Sequence, residues 1–210
     1  MKYEDEKYYH IYNRGAHKAP LFLISEHYSY YMRLIDKYFF HYRVSIEAFC
    51  LMPNHYHMLV QQMEGGSISR FIQTTFNAYV QGFNVQTKHS GALFQDKAKS
   101  LEVDSDEYAV RLCRYIHLNP VIAGLVSNPE EWEWSDYREW IGKPPSNLPK
   151  VKQSNFRKVS EIKPSDLPKV SPKVTAKVPL RDIYFESGKA YEEFVSLEQE
   201  EQELKKYMLE

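Results

Sequence analysis

The sequence predicts an α+β fold in which an antiparallel sheet is covered by helices. Short runs rich in aromatic and β-branched residues alternate with longer segments of helical apolar spacing, in the order strand, helix, strand, strand, helix, strand, helix. A Pro53-Asn54 break separates two adjoining strand-like runs and makes them an antiparallel pair. A sheet built this way has one face free to work on a ligand.

The elements follow in chain order. Residues 7 to 14 form the first strand, which stops at Gly15. Ser25 offers an N-cap to a helix that carries Tyr31, Leu34, Ile35, Tyr38 and Phe39 at helical spacing. Val44 to Met52 and Tyr56 to Gln62 are the paired strands. A second helix follows Gly65-Gly66-Ser67, with Ile68, Phe71, Ile72, Phe76, Tyr79, Val80 and Phe83 in one stripe. Residues 92 to 103 predict a further strand. Asp104 and Glu107 have capping-box spacing and open a third helix, which is expected to end near Asn119 because a proline disfavours helical geometry in the residue before it.

The texture changes after the third helix. Residues 141 to 180 hold seven of the eleven prolines and repeat Leu-Pro-Lys-Val at 148 and at 167. The expected organisation is a folded domain over 1–142, an extended Pro/Lys-rich basic linker over 143–180 and a C-terminal helical segment over 181–210 that docks on the body or on a partner. Net charge is −1, yet residues 141 to 180 carry nine basic groups against two acidic ones, so basic charge is concentrated there. Any grip on a polyanion by the body must come from local clusters. The cysteines Cys50 and Cys113 have no metal-like spacing and no signal peptide before them, which fits a reducing cytoplasm. The apolar runs fall short of the roughly 20 residues that cross a bilayer, so no membrane association is expected.

Two constellations could carry chemistry. Side chains two apart on a strand share a face, so His55 and His57 can present two imidazoles to one metal while Tyr56 faces the other way. The same pattern also suits two unrelated polar residues at a strand start. On the third helix, Ala109, Leu112, Cys113 and Ile116 define the buried stripe, and Tyr115 and Asn119 lie on its flank, one turn or roughly 6 Å apart. That pair is either a nucleophile beside an amide ligand or a boundary tyrosine and a helix cap. Tyr79 lies on the apolar stripe of its helix and Tyr108 in the first turn of the third, which leaves Tyr115 best placed among the tyrosines considered. His10 and His117 are read as a strand and a helix-surface histidine.

Leu51-Met-Pro-Asn-His-Tyr-His-Met-Leu59 resembles the signature of HUH single-tyrosine transposases, in their REP-associated branch. The resemblance extends through Asn13-Arg14-Gly15, Gly91-Ala-Leu-Phe-Gln95, Tyr115-Ile-His-Leu-Asn-Pro-Val121 and Trp132-Glu-Trp-Ser-Asp-Tyr137, and covers most of residues 7 to 142. It implies a ferredoxin-like catalytic domain, with His55, His57 and Asn119 at a metal and Tyr115 as the nucleophile. The implied activity is single-strand DNA cleavage and rejoining through a phosphotyrosine linkage on hairpin or repetitive elements, in the bacterial cytoplasm at the nucleoid. Two imidazoles and an amide suit several transition metals; Mg2+ or Mn2+ is what the resemblance implies.

Cations and aromatic faces hold single strands, which nominates Arg14, Lys18, Lys97 and Lys99, with Phe94 as a stacking platform. The family's Gly-Arg-aromatic stretch after the position of Gln95 is here Asp96-Lys97-Ala98, a departure that weakens the grip expected at that place. A non-catalytic DNA-binding descendant is the alternative reading. A homodimer is open as well, with Tyr115 meeting the His pair of its own chain or of a second copy.

Overall fold

The computed structural model describes residues 2–144 and 179–197. Four strands, β1 (Tyr8–Arg14), β2 (Val44–Met52), β3 (His55–Gln62) and β4 (Lys99–Val103), form one antiparallel sheet in the order β2-β3-β1-β4. Helix α1 (Ser25–Tyr38) links β1 to β2, and α2 (Ile68–Thr87) links β3 to β4. This is the ferredoxin-like order. Helix α3 (Asp106–Ile122) follows β4, and α4 (Tyr137–Trp140), α5 (Leu180–Tyr184) and α6 (Gly188–Ser196) are short.

Strand alternation divides the apolar side chains between two cores. Tyr9, Ile11, Tyr56, Met58 and Val60 point to one face and pack with the α1 and α2 stripes, including Tyr31, Leu34, Phe71, Tyr79 and Phe83. Tyr8, Ala48, Cys50, Met52 and Leu59 point to the other and meet Ala109, Leu112, Cys113 and Ile116 of α3. The face expected to be free is thus partly covered by the helix that carries Tyr115. Both cysteines are free thiols buried in this second core.

Several boundaries differ from expectation. Ser25 is the first residue of α1, whose N-cap is Ile24, while Ser67 and Ser105 cap α2 and α3 by accepting from Arg70 and Tyr108 N–H. Strand β4 begins at Lys99, not at 92. The preceding stretch instead lies along the end of β1, where Gln95 N–H donates to Arg14 O at 3.0 Å and the Asn13 amide to Asp96 O at 2.9 Å. Helix α3 continues through Pro120 to Ile122. The bias against a helical residue before proline is modest. Here the Asn119 side chain donates to Tyr115 O at 2.9 Å, and the helix closes only where Ala123 N–H meets Asn119 O and Gly124 takes φ +68°.

The C-terminal segment docks on α3 through two short helices. Arg114 donates to the carbonyls of Phe194 and Val195, each at 3.2 Å, and to that of Leu197. Leu180, placed in the expected linker, is fully buried, and its N–H donates to the Glu47 carboxylate at 3.1 Å. His117 is not on a helix surface, because this docked segment covers that side of α3. The His117 ring receives the Tyr191 hydroxyl at Nδ1, 2.6 Å, and donates from Nε2 to Asp136 at 2.9 Å. The bulk of the expected linker, 145–178, and the end of the tail, 198–210, lie outside the described residues.

Candidate active site

Packing of α3 on β3 brings the two sequence constellations into one cleft. Its walls are Arg14, Lys18, Asn54, His55, His57, Tyr115, Asn119, Ile122 and Ala123, and its volume is about 310 Å³. The Tyr115 ring meets the His57 ring edge-on at 5.4 Å, and the His55 and His57 rings lie 5.3 Å apart. Within the single chain Tyr115 thus stands beside His57. The Asn119 side chain interacts with both His55 and Tyr115.

Each histidine is oriented through Nδ1. His55 Nδ1 lies 2.7 Å from Asn54 Oδ1. The Asn54 amide nitrogen donates to Lys18 O at 3.3 Å, so its oxygen is the atom turned toward the ring and His55 donates from Nδ1. His57 Nδ1 lies 2.9 Å from His10 Nε2, and His57 Nε2 is buried with no hydrogen-bond partner.

Burial, with His10 and His55 close by, holds His57 well below the ordinary imidazole range. Burial lowers His55 too, against the Asn119 contact that raises it and with the Arg14 guanidinium adding to the depression. Both rings thus favour the neutral form that can offer a lone pair. Burial pushes the Tyr115 phenol up to about 12, with the Asn119 contact opposing the rise.

This donor set fits a metal. Among the described residues no three His, Cys, Asp or Glu side chains converge, and beside the two imidazoles the cleft offers the amide of Asn119 as an oxygen donor. The unpartnered His57 Nε2 is what a metal ligand leaves when the ion is not counted.

The expected DNA contacts separate. Arg14 and Lys18 line the cleft. Lys18 is delivered by a turn in which His17 and Lys18 both hold positive φ, 54° and 60°, strain of the kind that persists where surrounding structure fixes it. Gly15 permits this turn, since a Cβ there would lie 2.0 Å from Ala19 O. Lys97 is exposed outside the cleft, and Lys99 lies 5.9 Å over the Tyr12 ring. Phe94 is turned to the opposite core, edge-on to Phe76 at 4.9 Å.

Sequence reasoning missed three residues here. Asn54 directly precedes His55, yet its place in the Pro53-Asn54 break does not mark it as the group that orients that ring. His10, an ordinary strand histidine by its sequence pattern, touches His57, and the Tyr12 ring, which no sequence motif marks, lies 5.9 Å from that of His57. Strand alternation puts His10, Tyr12 and Arg14 on one face. Only the pairing of β1 with β3 shows that this is the face of His57.

The model of the family described as transposase, IS200-like, matches residues 4–119 of the chain. The chain belongs to this family. Membership makes it a DNA-processing protein of the transposase class. A solved REP-associated tyrosine transposase bound to a REP hairpin shares the fold, with a TM-score of 0.58 at 15% identity over 72% of this chain and 89% of that one. A putative transposase from Deinococcus radiodurans R1 matches at 19% identity over 55% of this chain and 95% of its own, with a TM-score of 0.37. No curated protein sequence matches. Among the described residues no helix is long and apolar enough to cross a membrane.

Proposed function

We propose that this IS200-like family member cleaves and rejoins single-stranded DNA, with Tyr115 as nucleophile and His55, His57 and Asn119 holding Mg2+ or Mn2+. The observation that carries the reading is the Tyr115 ring standing 5.4 Å from a buried histidine whose Nε2 has no partner, inside a cleft lined by two cations. A bound divalent ion would polarise the scissile phosphate and offset the charge that develops in the transition state. The remaining steps belong to the chain. Arg14 and Lys18 draw the phosphate backbone into the cleft, with Lys97 and Lys99 outside it along the strand's approach.

The Tyr115 oxygen attacks phosphorus and gives up its phenolic proton. The bond from phosphorus to the 3′ oxygen breaks, and that oxygen takes a proton to leave as a hydroxyl. The DNA is then held as a 5′-phosphotyrosyl ester. Attack by a 3′ hydroxyl reverses the step and releases the tyrosine, so the phosphodiester is conserved for rejoining. Asn119 contacts the phenol and opposes the burial that holds its proton in place. As a substrate we propose a single strand bearing a hairpin, by likeness to the fold relative bound to a REP hairpin.

The test is incubation of a labelled hairpin oligonucleotide with the full chain and Mg2+ or Mn2+. A denaturant-resistant protein-DNA adduct is expected, and it should vanish in Tyr115→Phe. An adduct that persists in this variant overturns the nucleophile assignment. DNA binding with no adduct under either metal would mark the chain as a DNA-binding descendant of the family.

A further inference from the structure

We infer that His10 is a positioning residue for the metal site: it accepts the Nδ1 proton of His57 and thereby fixes the lone pair of His57 Nε2 toward the cleft. The inference rests on the metal reading above and assigns a role to a residue outside the ligand set. His10 Nε2 and His57 Nδ1 lie 2.9 Å apart, and the two ring planes are inclined by only 20° with centroids at 5.1 Å, so the nitrogens face each other edge to edge. Both side chains are buried, at 1% and 0% exposure.

One hydrogen bond between two imidazole nitrogens holds one proton, and its side decides what His57 can do. With the proton on His10, a neutral His57 must carry its own proton on Nε2 and has no lone pair to offer there. With the proton on His57 Nδ1, Nε2 is a ligand. His55 has the same arrangement by other means, since the Asn54 oxygen accepts from its Nδ1 and leaves Nε2 available. Metal-bound histidines characteristically donate their other N–H to an acceptor that sets tautomer and ring orientation. In this site a neutral imidazole is that acceptor for one ring and an amide for the other.

The position is costly without such a role. When His10 Nε2 accepts, its proton must sit on Nδ1, which is buried with no hydrogen-bond partner. Its strand neighbours Tyr9 and Ile11 are in the opposite core, and Tyr8 and Leu59 on its own face are buried apolar side chains. A phenylalanine would fill such a site without stranding an atom of its own, at the cost of leaving His57 Nδ1 unpaired. An imidazole kept there against that cost is explained by what its other nitrogen does for His57.

Stability and metal affinity should therefore move apart in His10→Phe. The full chain is titrated with Mn2+ by calorimetry or electron paramagnetic resonance, and its thermal unfolding is measured without metal. His10→Phe relieves one stranded nitrogen and creates another, on His57, so it should melt within about 4 °C of the wild type while its Mn2+ affinity falls about 10- to 100-fold. His10→Gln, which offers an amide oxygen, should recover part of the loss. Wild-type affinity in a well-folded His10→Phe overturns the role of His10 and leaves the metal reading standing.

His57→Ala separates the two failures: if wild type binds Mn2+ no better than His57→Ala, the metal reading falls and this inference with it. Should His10→Phe not fold, the wild type decides. Long-range 15N–1H spectra of the Mg2+-loaded chain should place the shared proton on His57 Nδ1, and its location on His10 Nε2 would overturn the inference.

Discussion

Truncating Asp136 to alanine should unfold the body far more easily, because this carboxylate ties together three parts of the fold behind α3. It accepts from Phe49 N–H at 2.7 Å, from the His117 ring at 2.9 Å and from the Trp140 indole at 3.2 Å, and it is 8% exposed. The indole N–H has a second acceptor in Glu47 O at 3.0 Å, so truncation strands two donors and not three. Each buried donor left unpaired costs about 1–3 kcal/mol. The expected loss is about 4 kcal/mol, and at roughly 2–4 °C per kcal/mol for a body of this size the Tm should fall by roughly 8–16 °C. Asp136→Asn retains an acceptor for Phe49 N–H and should lose about 1 kcal/mol. Urea unfolding of the full chain followed by tryptophan fluorescence gives both values. A loss under about 1 kcal/mol in Asp136→Ala would refute the claim that unpaired donors, and not merely a vacated surface, are left behind.

Two further outcomes can be checked with simple measurements. Burial raises Tyr30 and Tyr137 to about 12, and Tyr28, Tyr31, Tyr56 and Tyr79 further, against an ordinary value of 10.0. The folded chain keeps protons that unfolded tyrosines release, so this stability is present below about pH 10 and lost as pH rises above it. Tyrosinate absorbance should then appear together with loss of circular dichroism; ionisation of these rings in a still-folded chain would contradict their burial. Arg14→Ala should weaken single-strand binding and reduce the slope of log affinity against log salt by about 0.7, one phosphate contact's worth. Unchanged slope and affinity would remove Arg14 from the DNA interface.

What the sequence made legible was what short spacing can carry. The shared face of His55 and His57, the opposite face of Tyr56 and the buried stripe of α3 all follow from fixed periods of two and 3.6 residues. Tyr115 and Asn119 are likewise placed by one turn of helix. Boundaries were less legible, since Pro120 states a bias that a closing turn overcame, and the stretch before Lys99 is ordered by the end of β1 and not by its own pattern.

The groups that aim the candidate ligands divide by sequence distance. Asn54 is adjacent to His55, yet the direction of its amide is set by the carbonyl of Lys18. His10 reaches His57 only because β1 lies beside β3 in the sheet. His117 is a surface residue on the wheel of α3 and a buried one once Tyr191 docks against it. A local motif can nominate two imidazoles as ligands, but the nitrogen each one can offer is decided by whichever group holds the other nitrogen. In this chain those groups come from different strands and turns, so the pair can be read as a candidate metal site only when the sheet order is known.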